Sequence, residues 1–160
     1  MARSLVLLLA LLTVSGASCS SVSPVTYTKD SESDPTVAQR DLLVGTWRGD
    51  APVKGGGNVT WEMIRHADGT YRVNFMRTDV QGLVTAQSEV GIWGVSGGVY
   101  FSATRGFAEA NGIEAAYTTD PALYDTYRID LLTADMFEYE SLSTGNRYIV
   151  RRVLSAPSVP

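Results

Sequence analysis

The sequence predicts an all-β protein: a single eight-stranded antiparallel barrel with up-and-down connections. Three observations carry this. From Leu42 to Leu154 apolar and polar residues alternate in eight short runs, the period-two pattern of strands with one buried face. Breaks rich in Gly and Asp separate the runs, supplying turn chemistry where hairpins need it. No stretch carries the period of a helix of useful length, and only Pro121 to Asp125 suggests a single turn.

The first run is Leu42 to Gly49 and the second Asn58 to His66, joined across Lys54-Gly55-Gly56-Gly57. Ala67-Asp68-Gly69 leads into Thr70 to Thr78, with Tyr71, Val73 and Phe75 on one face. Asp79-Val80-Gln81-Gly82 turns the chain into Leu83 to Val95, where alternation aligns Val84, Ala86, Val90 and Ile92. Ser96-Gly97-Gly98 precedes Val99 to Phe107, aligning Val99, Phe101 and Ala103. The Gly106 to Asp125 connection, about 20 residues, exceeds a hairpin loop and has the length of a lid or binding loop. Thr126 to Leu132 (Tyr127, Ile129, Leu131) and Met136 to Leu142 (Phe137, Tyr139) follow, and Ser143-Thr144-Gly145 leads to Asn146 to Leu154, with Tyr148 and Val150 inward. Eight hairpin-linked strands close most simply into a barrel, because closure leaves no unpaired edge. A two-sheet sandwich satisfies the same alternation; the even strand number and the lack of long crossovers favour the barrel.

The stretch before the barrel reads as an address. Met1-Ala2-Arg3 is a positive start, Ser4 to Val14 an apolar run, and Ser15-Gly16-Ala17-Ser18 a series of small residues before Cys19, the only cysteine. A signal peptide over 1–18 is expected, its apolar run spanning roughly half a bilayer core. Gly16-Ala17-Ser18-Cys19 resembles the lipobox of bacterial lipoproteins, which implies lipidation of Cys19; it departs from that pattern at Gly16, and conventional cleavage near Ala17 is the alternative. Residues 19–40, rich in Ser, Thr, Pro and Asp, form a flexible tether by composition, and 156–160 a disordered tail. The barrel domain is 41–155. Ser20 after the cysteine resembles the outer-membrane sorting pattern of Gram-negative lipoproteins, so the expected location is the periplasmic side of the envelope, with the membrane touched only through the lipid. Losing Arg3 with the leader leaves 12 basic against 17 acidic side chains, near −5, a balance that argues against nucleic acid as a partner.

Gly45-Thr46-Trp47 at the first strand resembles the G-x-W of lipocalins and related small barrels. The ending from Asp125-Thr126-Tyr127-Arg128 through Phe137-Glu138-Tyr139-Glu140 to Arg151-Arg152-Val153 is similar to uncharacterised bacterial lipocalin-like proteins, the likeness covering 42–154. It implies a structural plug at the closed end, in which Arg152 (or Arg151) packs on Trp47 beside Gly45. Strand parity independently brings Trp47, Arg152 and Arg65 to the same end, where a guanidinium on an indole is worth about 0.5–2 kcal/mol.

The opposite end collects the Asp50–Gly57 loop, the Asp79–Gly82 turn, the Gly106–Asp125 connection and the Ser143–Gly145 turn. The interior expected from alternation comprises Trp61, Met63, Tyr71, Val73, Phe75, Val90, Phe101, Ile129, Phe137, Tyr139, Tyr148 and Val150, with Tyr127 among the hydroxyls that need partners. An eight-stranded barrel is just wide enough to be filled by side chains or to hold one small ligand, and alternation does not choose between them. Arg105, on the Phe101 face at the mouth, is a cation suited to a ligand carboxylate such as that of a fatty acid; pairing with Glu109 or another loop acid is the alternative. Candidate ligand-binding residues are therefore Trp61, Tyr71, Phe75, Phe101, Arg105, Tyr127, Tyr139 and Tyr148.

Chemistry is sparse. His66 is the only histidine and sits by a turn, which excludes His-based triads and multi-His metal sites. Lys54-Gly55-Gly56-Gly57 lacks the spacing and helix of a phosphate loop. Glu138 and Glu140 are about 7 Å apart on one strand face, but that face alternates with Phe137 and Tyr139 and is solvated. No inward carboxylate, metal site or cofactor is expected. The sequence thus predicts a non-enzymatic lipocalin-like lipoprotein taking a small apolar or amphipathic ligand, or alternatively a filled barrel acting as a protein-interaction module.

Overall fold

The computed structural model describes residues 35–154; the leader, Cys19, residues 19–34 and the 156–160 tail lie outside the described residues. One helix and nine strands make up the element order: α1 (Pro35–Leu43), β1 (Gly45–Pro52), β2 (Asn58–Arg65), β3 (Thr70–Thr78), β4 (Val84–Ser96), β5 (Val99–Glu109), β6 (Gly112–Ala115), β7 (Tyr124–Leu132), β8 (Met136–Ser141) and β9 (Arg147–Arg152). Eight of the strands follow the order β4-β3-β2-β1-β9-β8-β7-β5, and pairing of β4 with β5 closes the ring. The barrel is therefore all-antiparallel, closed and eight-stranded, with lipocalin/calycin geometry. The ninth strand, β6, pairs only with the outer end of β5 and forms a flap on the rim.

Alternation fixes most of the interior. In β3 Tyr71 and Val73 are buried while Arg72 and Asn74 are exposed, and in β8 Phe137, Tyr139 and Ser141 alternate with half-exposed Met136, Glu138 and Glu140. The outer position of Glu138 and Glu140 is the one the pattern calls for, and Glu140 there accepts from Arg128 at 2.9 Å and Arg147 at 2.8 Å. Turns also follow their chemistry. Gly69 and Gly145 take φ of 87° and 72°, values a side chain would resist, and the Asp79 carboxylate accepts from the backbone N–H of Gln81 and Leu83 to shape the β3–β4 turn. His66 is an exposed turn residue.

Four features depart from the sequence reading. Residues 35–40, which composition places in the flexible tether, belong to α1. Its last residue, Leu43, is completely buried, and Arg40 donates to the Ala67 carbonyl at 2.6 Å while lying over Trp93. A nine-residue helix with one apolar contact face is stabilised by docking rather than by its own period, so alternation statistics miss it. The long connection is largely ordered as the end of β5, the β6 hairpin and a 3₁₀ turn at Pro121–Leu123, capped by Asp120; that single turn is the one the sequence suggested.

The other two departures are slips of phase. In β4 and β5 the inner residues are Glu89, Gly91, Trp93, Tyr100, Ser102 and Thr104, so Val90, Ile92 and Phe101 face outward. The two strands pair Gly91 with Thr104 but Val90 with Gly106, leaving Arg105 as the extra residue of a bulge. Gly94 explains Phe101: a Cβ there would stand 2.6 Å from the ring, so the phenyl lies across a bare stretch of outer strand. A second bulge at Asp130, between Ile129↔Tyr139 and Leu131↔Glu138, turns Leu131 outward and brings Leu132 against the core.

Candidate functional site

The interior grades from solid to hollow. At the closed end Leu43 and Trp47 are fully buried, and the Trp47 indole N–H donates to the Leu43 carbonyl at 2.9 Å, tying α1 to β1. Arg152 lies over the Trp47 ring at 4.4 Å. It also donates to the carbonyls of Val44 (2.8 Å), Leu42 and Ala134, stitching α1, β1 and the β7–β8 turn together. Gly45 leaves room for this: a Cβ on it would meet the Arg152 guanidinium at 2.6 Å. This end is a plug made of named contacts.

Above it lies a cavity of about 200 Å³, lined by Val59, Trp61, Met63, Arg65, Phe75, Tyr100, Ser102, Tyr127, Tyr139 and Tyr148. An engineered apolar cavity of about 150 Å³ is enough to hold benzene, so the barrel is neither solid nor a long lipid channel. Its walls are aromatic. Tyr139 stacks on Phe137 at 4.4 Å and on Tyr148 at 5.3 Å, Tyr100 stacks on Tyr127 at 5.6 Å, and Trp61 meets Tyr148 edge-on at 5.8 Å.

Of the sequence-predicted ligand residues, Trp61, Phe75, Tyr127, Tyr139 and Tyr148 come together on this cavity. Tyr71 is buried at 4% exposure in the same interior. Phe101 and Arg105 do not join them. Phe101 is 37% exposed on the outer surface, and Arg105, at the bulge, donates to the Tyr124 hydroxyl at 3.0 Å and lies over its ring. Tyr124 in turn donates to the Thr118 carbonyl at 2.7 Å. Arg105 therefore pins the rim connection from outside, with Tyr124 rather than Glu109 as its partner.

Sequence reasoning missed the polar half of the interior. Tyr100, paired across the barrel wall with Tyr127, is 1% exposed and accepts from the Arg65 Nε at 3.2 Å. Farther up β5, the Thr104 hydroxyl donates to Glu89 at 2.9 Å and shares a hydrogen bond with the Tyr71 hydroxyl at 2.9 Å. The interior thus holds an inward carboxylate where none was expected, and Asp125 on β7 is a second. Burial raises the Asp125 carboxyl above the ordinary aspartate value, partly offset by its hydrogen bond with Tyr127. Burial also pushes the Tyr71 hydroxyl up to about 12, and those of Tyr127 and Tyr139 well above the ordinary phenol value. One signal was present: three adjacent aromatic or branched residues, Val99-Tyr100-Phe101, leave two possible phases, and Gly94 opposite Phe101 marks which face lacks partners.

Among the described residues no group of three or more His, Cys, Asp and Glu side chains could hold a metal ion, and no helix is long and apolar enough to cross a membrane. The chain matches no known family model and no curated protein. Among solved structures it is similar to a lipocalin-like protein from Bacteroides uniformis, at 15% identity and a TM-score of 0.41, over 70% of this chain and 99% of that one. The barrel itself is defined by the strand pairing of this chain.

Proposed function

We propose that this protein is a non-enzymatic, lipocalin-like lipoprotein of the bacterial envelope that encloses a small apolar or amphipathic molecule in its barrel. The observation that carries the reading is the aromatic cavity of about 200 Å³ inside a closed barrel: a void of that size among stacked rings forfeits contacts that an occupant restores. The volume favours an occupant of roughly one ring over a long acyl chain. The positive, apolar and small-residue stretches before Cys19 support export and a lipid anchor, with residues 19–34 as the tether.

Native mass spectrometry and thermal shift on the mature protein with a panel of single-ring and short-chain compounds test the binding reading. One-to-one adducts accompanied by a raised melting temperature are expected; a panel that leaves both spectra and melting point unchanged removes the reading. For the anchor, cells grown on labelled fatty acid are expected to tag the wild-type chain and not Cys19→Ser.

A further inference from the structure

Arg65 closes β2, opposite Gly45 in the β1 register, and is 3% exposed. It lies on the cavity wall, with its guanidinium carbon 4.7 Å from the Tyr100 ring and 5.6 Å from the Phe137 ring. Its Nε donates to the Tyr100 hydroxyl, but its Nη1 is buried and has no acceptor. The four ion pairs of the described residues join Arg48 to Glu62, Arg128 to Asp130 and Glu140, and Arg147 to Glu140, all partly exposed on the outer face; Arg65 takes part in none. Its charged neighbour at the closed end is another cation, Arg152, whose guanidinium is made less basic by burial and by Arg65. Buried charges are ordinarily paired, because desolvating a lone one is costly.

The acids of the interior stand elsewhere. Ser102, the partner of Asp125 in the β5–β7 register, follows Tyr100 by about 7 Å of strand, and Thr104, which holds Glu89, by about 13 Å. Neither Glu89 nor Asp125 lines the cavity, which therefore has a cation at its floor and no carboxylate among its lining residues. A water molecule could take the free Nη1 hydrogen bond, but it would leave the charge unbalanced.

We infer that the cavity takes a small organic anion, a monocarboxylate with a ring or short branched body, its acid group held by Arg65 beside Tyr100 and its body among Trp61, Tyr139 and Tyr148. The inference rests on the cavity-binding reading and assigns the chemistry of its ligand. A guanidinium offers a carboxylate two parallel donors, a match that an alcohol or amine cannot reproduce.

The test uses three probes of one shape: benzoate, benzyl alcohol and benzylamine, titrated calorimetrically into the mature protein at neutral pH. Benzoate is expected to bind at least about tenfold more tightly than benzyl alcohol, and benzylamine most weakly. Arg65→Gln is expected to abolish the preference while keeping alcohol binding. Because that variant removes a buried side chain and can fail to fold, a second readout uses the wild type: the Arg65 Nε–H resonance in nitrogen-labelled protein shifts with benzoate and stays put with benzyl alcohol. Three probes of equal affinity, a tighter amine, or an unmoved Arg65 resonance under saturating benzoate would overturn the anion assignment while leaving the cavity reading intact. If none of the three binds, the anion assignment falls, and the cavity reading stands or falls with the wider panel of single-ring and short-chain compounds.

Discussion

The two ends of this barrel are built from the same alternating strands and do opposite things with their aromatic residues. At the closed end two tryptophans are locked by directional partners: Trp47 by the Leu43 carbonyl and the Arg152 guanidinium, Trp93 by the His66 carbonyl at 3.1 Å and by Arg40. Toward the open end the rings stack mainly on one another around empty space, and apolar residues such as Leu83 (64% exposed) and Ile113 (63%) are left on the rim. The difference shows that closure of a small barrel does not require filling it. A plug of a few anchored side chains carries the rigidity, and the remaining length is free to specialise.

The sharpest way to break this contrast is to remove the plug. Trp47→Ala, at a fully buried position, is expected to cost about 3–5 kcal/mol of unfolding free energy, read by urea denaturation.

Raising the pH probes the hollow half next. The folded-state pKa of Tyr71, about 12, lies above its ordinary value of 10.0, so the stability this burial contributes is fully present below pH 10 and is lost as pH rises toward 12. Two units correspond to about 2–3 kcal/mol. Tyr127 and Tyr139 are shifted in the same direction by burial. The phenolate absorbance is therefore expected to rise in two stages, exposed tyrosines first and these three together with global unfolding; a single smooth rise at the ordinary value would refute it. In Tyr71→Phe the alkaline loss of stability is expected to shrink.

Arg152→Met is expected to cost about 2 kcal/mol, because it strands three carbonyl acceptors at the junction of α1, β1 and the β7–β8 turn. Ser102→Leu, directed into the cavity, is expected to change stability by less than about 1 kcal/mol, since the added volume meets space, yet to abolish small-molecule binding in the calorimeter. Smallest of all, Glu140→Gln on the outer wall, which loosens contacts to Arg128 and Arg147, is expected to cost less than about 1 kcal/mol.

Much of the barrel was legible in the sequence because burial of one face forces a two-residue period, and β3 from Thr70 to Met76, β8 and the Trp47–Arg152 pair follow it. Legibility failed where the code is locally degenerate. Ile92-Trp93 and Val99-Tyr100-Phe101 place apolar side chains on both faces, so a one-residue slip costs the pattern nothing and sends Phe101 and Arg105 to the wrong side. The bulges at Arg105 and Asp130 shift the phase within a strand, which no fixed period can register. Arg65 was placed correctly at the closed end. Its unpaired Nη1 depends on which neighbours fail to arrive, a fact of three-dimensional accounting that alternation does not contain. Glu89 lies in the phase opposite to that of Val84, Ala86, Val90 and Ile92, whereas Asp125, in phase with Tyr127, falls in the connection before the strand that alternation marks.

Helix α1 and the end of β9 meet at the base of the barrel, where Arg152 joins them. Attachment to a surface through either flank of the described chain therefore grips the protein by its foot. The mouth of the cavity lies at the other end of the same strands.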